Sequence, residues 1–210
     1  KFLVKDIHSI RKKYPFEKAI VSSVRKTLPY AIQHLTKNYH LLILSHKTKT
    51  PITIKYKTPS TLGLDRLAAV VGAVNTFKSK NCLVIDIGTC ITYDYVDKTG
   101  IYFGGNIAPG IELRLKSMHE FTSSLPLVKR SNHQDILGNT TKMAMQNGAV
   151  HGIKYEIQSF IKTLTKNRGH FTVILTGGDA RYFGEMVESK IFVDPNLVLK
   201  GLNEILNYNN

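Results

Sequence analysis

Cys82-Leu-Val-Ile-Asp86-Ile-Gly88-Thr89-Cys90-Ile-Thr92-Tyr-Asp94-Tyr-Val96, continued by Lys98-Thr99-Gly100 and Ile101-Tyr-Phe-Gly104-Gly105-Asn-Ile-Ala108, is the stretch that decides the architecture. An apolar run, Cys82 to Ile87, stops at Gly88-Thr89. A second run resumes at once from Ile91 to Val96, and a third follows a three-residue turn, from Ile101 to Ala108. Short runs rich in β-branched residues and separated by glycine turns predict three consecutive strands joined as a meander. Pro109-Gly110 then introduces a helix to about Phe121, and after a partly irregular stretch a second helix spans Asn139 to about Lys166. A strand (Phe171–Thr176), a helix (Asp179–Val187), a strand (Ile191–Val193) and a last helix (Asn196–Asn207) complete the chain. This alternation of strands and helices predicts an α/β fold.

Working back from Cys82, the same series recurs without its meander. A short helix from Asp6 to Lys13 precedes a strand at Lys18–Val24, a helix at Leu28–Lys37, strands at His40–Ser45 and Pro51–Tyr56, and a helix at Gly63–Phe77. The expectation is two related lobes: residues 1–76, incomplete at the N-terminus, and residues 77–210 with a complete βββαβαβα-like core.

With 210 residues, 42% hydrophobic and 21% charged, the chain has enough apolar side chains for a core, which excludes a disordered or collagen-like protein. The longest apolar run, Leu67 to Val74, is far shorter than the roughly 20 residues of a membrane span. The basic N-terminus lacks the apolar stretch of a signal peptide. Cys82 and Cys90 have no metal-ligand spacing, and a reduced, cytoplasmic protein is expected. Charge is divided unevenly: residues 1–80 carry 16 Lys and Arg against Asp6, Glu17 and Asp65, whereas residues 81–210 carry 13 basic and 12 acidic side chains. A positive first half attracts nucleic acid, a polyphosphate or an acidic partner, or is a solubilising surface.

Four local patterns carry chemistry. In Asp86-Ile-Gly88-Thr89-Cys90-Ile-Thr92-Tyr-Asp94, the glycine allows close backbone approach, the threonine hydroxyls supply donors, and Asp86 can hold a cation; the alternative is an ordinary hairpin turn. Gly104-Gly105-Asn-Ile-Ala-Pro109-Gly110 suits an anion at a helix start, or a bulge before a helix. Tyr56-x-x-Pro59-x-x-x-Gly63-Leu64-Asp65-Arg66 sets a carboxylate beside a guanidinium: a general base with an anion clamp, or an acid in a first helical turn paired locally with Arg66. Thr176-Gly177-Gly178-Asp179 suits a nucleotide contact or a plain strand-to-helix turn, and Asn139-Thr140-Thr141 a helix cap. There is no P-loop, no G-x-S-x-G, no G-x-G-x-x-G after a strand and no histidine metal spacing.

In this order, these motifs resemble type III pantothenate kinases. Further matches are Ser22-Ser-Val24, Phe121-Thr-Ser-Ser-Leu-Pro126, Thr141-x-x-Ala-x-Gln-x-Gly148 and Asn196-Leu-Val-Leu-Lys-Gly-Leu202, so the resemblance covers about residues 19–205. It implies two ribonuclease-H-like lobes of the actin-like ATPase type. It also implies transfer of the ATP γ-phosphoryl group to pantothenate, the first step of coenzyme A biosynthesis, with Mg²⁺, a monovalent cation (K⁺ or NH₄⁺) and a homodimer. By the resemblance Asp65 is the general base; Tyr56, Gly63, Leu64, Arg66 and Thr141 line the pantothenate pocket. Gly88, Thr89, Thr92, Gly177 and Gly178 contact ATP, and Asp86 holds the monovalent cation. Cys90 stands where the family more often has alanine. The family's opening hairpin, Asp-x-Gly-Asn-Thr, has no counterpart in Lys1–His8, and slow turnover by this chain is the expectation that follows. A non-catalytic transcription accessory factor on the same fold is the second reading, and salt-sensitive nucleic-acid binding is its signature.

Overall fold

The computed structural model describes residues 4–23, 40–131 and 135–210. Its elements run α1 (Val4–Lys13), β1 (Lys18–Val21), β2 (His40–Ile43), β3 (Thr53–Ile54), a 3₁₀ turn (Pro59–Thr61) and α2 (Leu64–Thr76). Then come β4 (Cys82–Ile87), β5 (Cys90–Val96), β6 (Ile101–Pro109), α3 (Ile111–Glu120), α4 (Thr141–Arg168), β7 (Thr172–Thr176), α5 (Ala180–Met186), β8 (Ile191–Val193) and α6 (Leu197–Tyr208). The expected helix at Leu28–Lys37 and the end of the first strand at Val24 lie outside the described residues.

The larger sheet has the order β3-β6-β5-β4-β7-β8. β4, β5 and β6 form the antiparallel meander, and β7 and β8 add in parallel beyond β4. Its five strands β6-β5-β4-β7-β8 follow the ribonuclease-H-like arrangement. β3 joins the opposite edge, parallel to β6, and shrinks to two residues because it meets β6 only at Ile101 and Tyr102. In the first half, β1 and β2 pair in parallel, Lys18 opposite His40 through Val21 opposite Ile43.

Strand alternation gives the sheet two faces. On one, Leu83, Ile85, Ile87, Ile91, Tyr93, Val173 and Leu175 meet α3, α4 and α5 through Leu115, Ile153, Ile157 and Phe183. On the other, Cys82, Val84, Val96 and Ile174 meet α2 and α6 through Leu67, Ala68, Val71, Leu197 and Ile205. β4 is buried on both faces, which explains its unbroken apolar run. The single polar member, Asp86, stands at its C-terminal end.

α2 and α6 cross with their backbones in contact. A methyl group added at Gly201 would lie 1.7 Å from the Ala68 carbonyl oxygen, and one added at Gly72 would lie 2.4 Å from the Leu197 oxygen. Small residues at Ala68, Ala69, Gly72 and Ala73 make this approach possible, and Val70, Val71 and Leu67 fill the sides. Gly201→Ala must push the helices apart and is expected to cost about 1–3 kcal/mol by overpacking. Urea unfolding of the two proteins measures this; an unchanged midpoint would show that the crossing yields freely.

Candidate active site

The first turn of α2 carries the acid singled out by the sequence. Gly63 is the N-cap, and Asp65 turns back so that its Oδ1 accepts the Arg66 backbone N–H at 2.8 Å. A side chain at Gly63 would strike that oxygen at 2.5 Å, so the glycine leaves room for the carboxylate to sit over the helix start. Negative charge is favoured there, where the first amides of a helix lack partners. Asp65 is exposed to solvent, whereas Arg66 is only 5% exposed.

The side chains of Arg66 and Asp65 are not paired with each other. Arg66 reaches across to the sheet and grips Asp94 of β5, with Nη2 to Oδ1 at 2.6 Å and Nε to Oδ1 and Oδ2 at 3.0 and 3.2 Å. Tyr102 of β6 donates its hydroxyl to the same Oδ1 at 2.6 Å. The Tyr56 ring stacks on Tyr102, with centroids 6.3 Å apart, and lies 5.8 Å from the Arg66 guanidinium carbon. Burial alone would weaken the charge on Arg66, but the hydrogen bonds and charge of Asp94 outweigh it and hold the guanidinium firmly protonated. Burial, and then Asp94, push the Tyr102 phenol well above its usual range.

Asp86 lies on the same sheet face at the end of β4, opposite Thr92 of β5 and Thr176 of β7. The hydroxyl oxygens of Thr92 and Thr176 are buried and make no hydrogen bond. A carboxylate flanked by two unsatisfied oxygens is a donor set that fits a hard cation. Gly177 follows with φ of 90°, a backbone that side chains rarely adopt, and a Cβ there would fall 2.4 Å from Asp86 Oδ1. Burial first, then the charges of Asp65 and Asp94, raise the Asp86 carboxyl above its ordinary range. Three acids of a basic protein thus share one corner.

Three turns converge beside it. In the first, Gly88 donates to the Cys90 carbonyl at 3.0 Å and leaves Thr89 exposed. In the second, Gly110 donates to Thr89 O at 2.9 Å and packs against Gly88. In the third, Asp179 donates its backbone N–H to Ile87 O at 3.0 Å, and Gly178 faces open space. Arg130 pairs with the Asp179 carboxylate and lies over the Tyr182 ring at 5.4 Å. These three amides are spent on protein carbonyls, so what the turns offer phosphate oxygens is the close approach that glycine permits and the exposed Thr89 side chain.

The structure therefore gathers Tyr56, Gly63, Leu64, Asp65, Arg66 and Asp86 on and around the start of α2. Gly88, Thr89, Thr92, Gly177 and Gly178 belong to the strand ends and turns beside it. Thr141, first residue of α4, stands apart: it is exposed, and no hydrogen bond or ion pair joins it to the others. Its neighbour Thr140 is the N-cap and accepts the Met143 amide at 3.2 Å. Sequence reasoning gave no role to Tyr102 or Arg130, named Asp94 only as the end of the Asp86 motif, and read Thr176 as part of a nucleotide contact and not as a neighbour of Asp86. An acid and a threonine on the same side of otherwise apolar strands was the available signal for Asp94 and Thr176.

Comparison with known proteins follows from this geometry. A family model for type III pantothenate kinase matches residues 3–163. The chain belongs to the type III pantothenate kinase family. The family's enzyme from Phocaeicola vulgatus is 44% identical over 94% of this chain and 82% of its own length, and the one from Bacteroides fragilis strain YCH46 is 45% identical over 97% and 84%. The relative from Christiangramia forsetii is 40% identical over 99% of this chain and 88% of its own length. Among solved structures, a Baf family transcriptional activator from Campylobacter jejuni superposes with a TM-score of 0.62 at 23% identity, covering 97% of this chain and 88% of that one. At that identity the likeness shows the shared fold alone.

A raised carboxyl at Asp86 has a stability consequence. A carboxyl held above its unfolded-state value favours the folded protein most at low pH, and that contribution is lost as pH rises through the raised value. At pH 7.5 the ionised group is therefore a burden, and Asp86→Asn is expected to raise Tm by about 2–4 °C, with the gain vanishing toward pH 3. Thermal melts at the two pH values measure this; a Tm lowered at pH 7.5 would show that the carboxylate is stabilising as it stands.

Proposed function

We infer that this chain transfers the γ-phosphoryl group of ATP to the hydroxyl of pantothenate, giving 4′-phosphopantothenate and ADP, the first step of coenzyme A biosynthesis. Membership of the type III pantothenate kinase family carries the reaction. What supports Asp65 as the residue that does the chemistry is its exposed carboxylate at the start of α2, near enough to Asp86 for its charge to act on that group. Asp65 takes the proton of the pantothenate hydroxyl as its oxygen bonds to the γ-phosphorus and the bond to the ADP oxygen breaks. The net positive charge of residues 1–80 attracts both anionic substrates to the protein as a whole.

Tyr56, Gly63, Leu64 and Arg66 form the pantothenate side of the site. Support for adding Thr141 is that its hydroxyl is not spent on the cap that occupies Thr140. Gly88, Thr89, Gly177 and Gly178 receive the ATP phosphates with their open turns, and Mg²⁺ arrives with the nucleotide. Asp86, Thr92 and Thr176 are the oxygen donors that would hold K⁺ or NH₄⁺. A cation there offsets the repulsion between the carboxylates and the phosphates as charge shifts during transfer. The reading includes a homodimer, supported by exposed apolar side chains at Phe121, Leu127, Ile136 and Leu137. It also includes a cytoplasmic location, supported by ATP as donor and by two free cysteines. Among the described residues no helix is long and apolar enough to cross a membrane.

Two measurements test the reading. Asp65→Asn keeps shape and hydrogen bonding but cannot accept a proton, so kcat should fall about 10²–10⁴-fold while ATP affinity holds. An unchanged kcat would remove Asp65 from the mechanism. Replacing sodium by potassium should raise both the rate and, at pH 7.5, the Tm of the parent chain; neither should respond in Asp86→Ala. Equal behaviour in both salts would refute the cation site.

A further inference from the structure

The mechanism above uses Arg66 but leaves unexplained how a buried arginine is aimed. Its partner, Asp94, is fully buried, and so is Tyr102, which donates to the same carboxylate oxygen. Asp94 occupies two of the guanidinium nitrogens, Nε and Nη2, through three contacts between 2.6 and 3.2 Å. Nη1 is left as the nitrogen that Asp94 does not engage. A planar guanidinium fixed along one edge has its opposite edge fixed too. The second element held by Asp94 is Tyr102, on which Tyr56 stacks, and Gly104 completes the seat: a Cβ at that position would strike the Tyr56 ring at 2.8 Å.

We propose that Asp94 is the positioning residue of the acceptor pocket, setting Arg66 directly and Tyr56 through Tyr102, so that a carboxylate never touching substrate determines how tightly the pantothenate is held. The proposal rests on the reading of Arg66 and Tyr56 as pantothenate contacts. The network joins three separate elements, α2, β5 and β6, to the segment carrying Tyr56, and although the charge of Asp94 is felt at Asp86, none of the network's hydrogen bonds reaches the Gly88-Thr89 or Gly177-Gly178 turns. Its loss should therefore be felt by the acceptor and not by the nucleotide. A role confined to holding the fold together would instead weaken both ligands alike.

Calorimetric titration of the 210-residue chain with pantothenate and, separately, with ADP tests this. Asp94→Asn keeps the volume but loses the charge, and is expected to raise the pantothenate Kd about 10- to 50-fold with the ADP Kd within about twofold of the parent. Tyr102→Phe leaves the Arg66–Asp94 pair intact and removes one hydrogen bond, and should raise the pantothenate Kd about 3- to 5-fold. That variant decides the matter if Asp94→Asn does not fold. In an Arg66→Lys background, which cannot reproduce the two-nitrogen grip, Tyr102→Phe should have less effect than in the parent. Parent-like pantothenate affinity in Tyr102→Phe, or equal weakening of pantothenate and ADP in either variant, overturns the proposal. Absence of pantothenate binding by the parent chain itself would instead overturn the functional reading on which it rests.

Discussion

The ion pair between Arg66 and Asp94 is the interaction on which the arrangement of this site depends. Both side chains are removed from water, at 5% and 0% exposure, and each would be costly to bury alone. Desolvation is offset here by a near-complete set of partners: two guanidinium nitrogens and a tyrosine hydroxyl surround one carboxylate. Such a pair contributes little net stability compared with apolar side chains of the same size, but it tolerates only one geometry. What it fixes is the start of α2 against the middle of the sheet. Asp65, one residue earlier, inherits its place from that contact.

The same corner shows that the site has been assembled against the interests of stability. Asp65, Asp86 and Asp94 crowd together, and two hydroxyls are buried without partners. Among the described residues, Asp94 is the one of the three with an ion-pair partner, and Asp65 and Asp86 have none. Groups that are unsatisfied in the empty protein are those whose interactions can strengthen as charge moves in the transition state. On the opposite face of the sheet, by contrast, the polar groups are spent on one another. Tyr93 donates to Glu156 at 2.7 Å, and Arg114 bridges Glu156 at 2.5 Å and the Pro109 carbonyl at 2.8 Å.

The fold was largely legible in the sequence. Cys82–Ile87 matches the observed strand end for end because it is buried on both faces and stops at Gly88, and the edge strand Ile191–Val193 matches because Lys190 and Asp194-Pro195 bound a short apolar run. The third strand of the first half was read as Pro51–Tyr56 and is only Thr53–Ile54, since its length is set by how far β6 extends alongside it, which no local pattern records. Asp65, Asp86 and the glycine turns were visible because they interrupt apolar runs at strand and helix ends. Asp94 closes the same motif as Asp86, but its pairing was not legible: the sequence near Arg66 offered Asp65 as an adjacent partner, and the true partner lies 28 positions away. Pairing across elements is a property of the register, and Thr176 beside Asp86 was hidden for the same reason.

The helix crossing carries a consequence for the order in which the molecule matures. α2 bears the proposed base, yet the surface that receives it is α6, and the chain runs from residue 76 to residue 197 between the two helices. The meander and its neighbouring helices form through contacts close in sequence, whereas this closure must wait for a long loop to be paid off in entropy. During synthesis α6 emerges after every other element of the described chain, so until it is made α2 rests on the sheet alone. A nascent chain of this protein would hold its sheet before it could close its helix crossing.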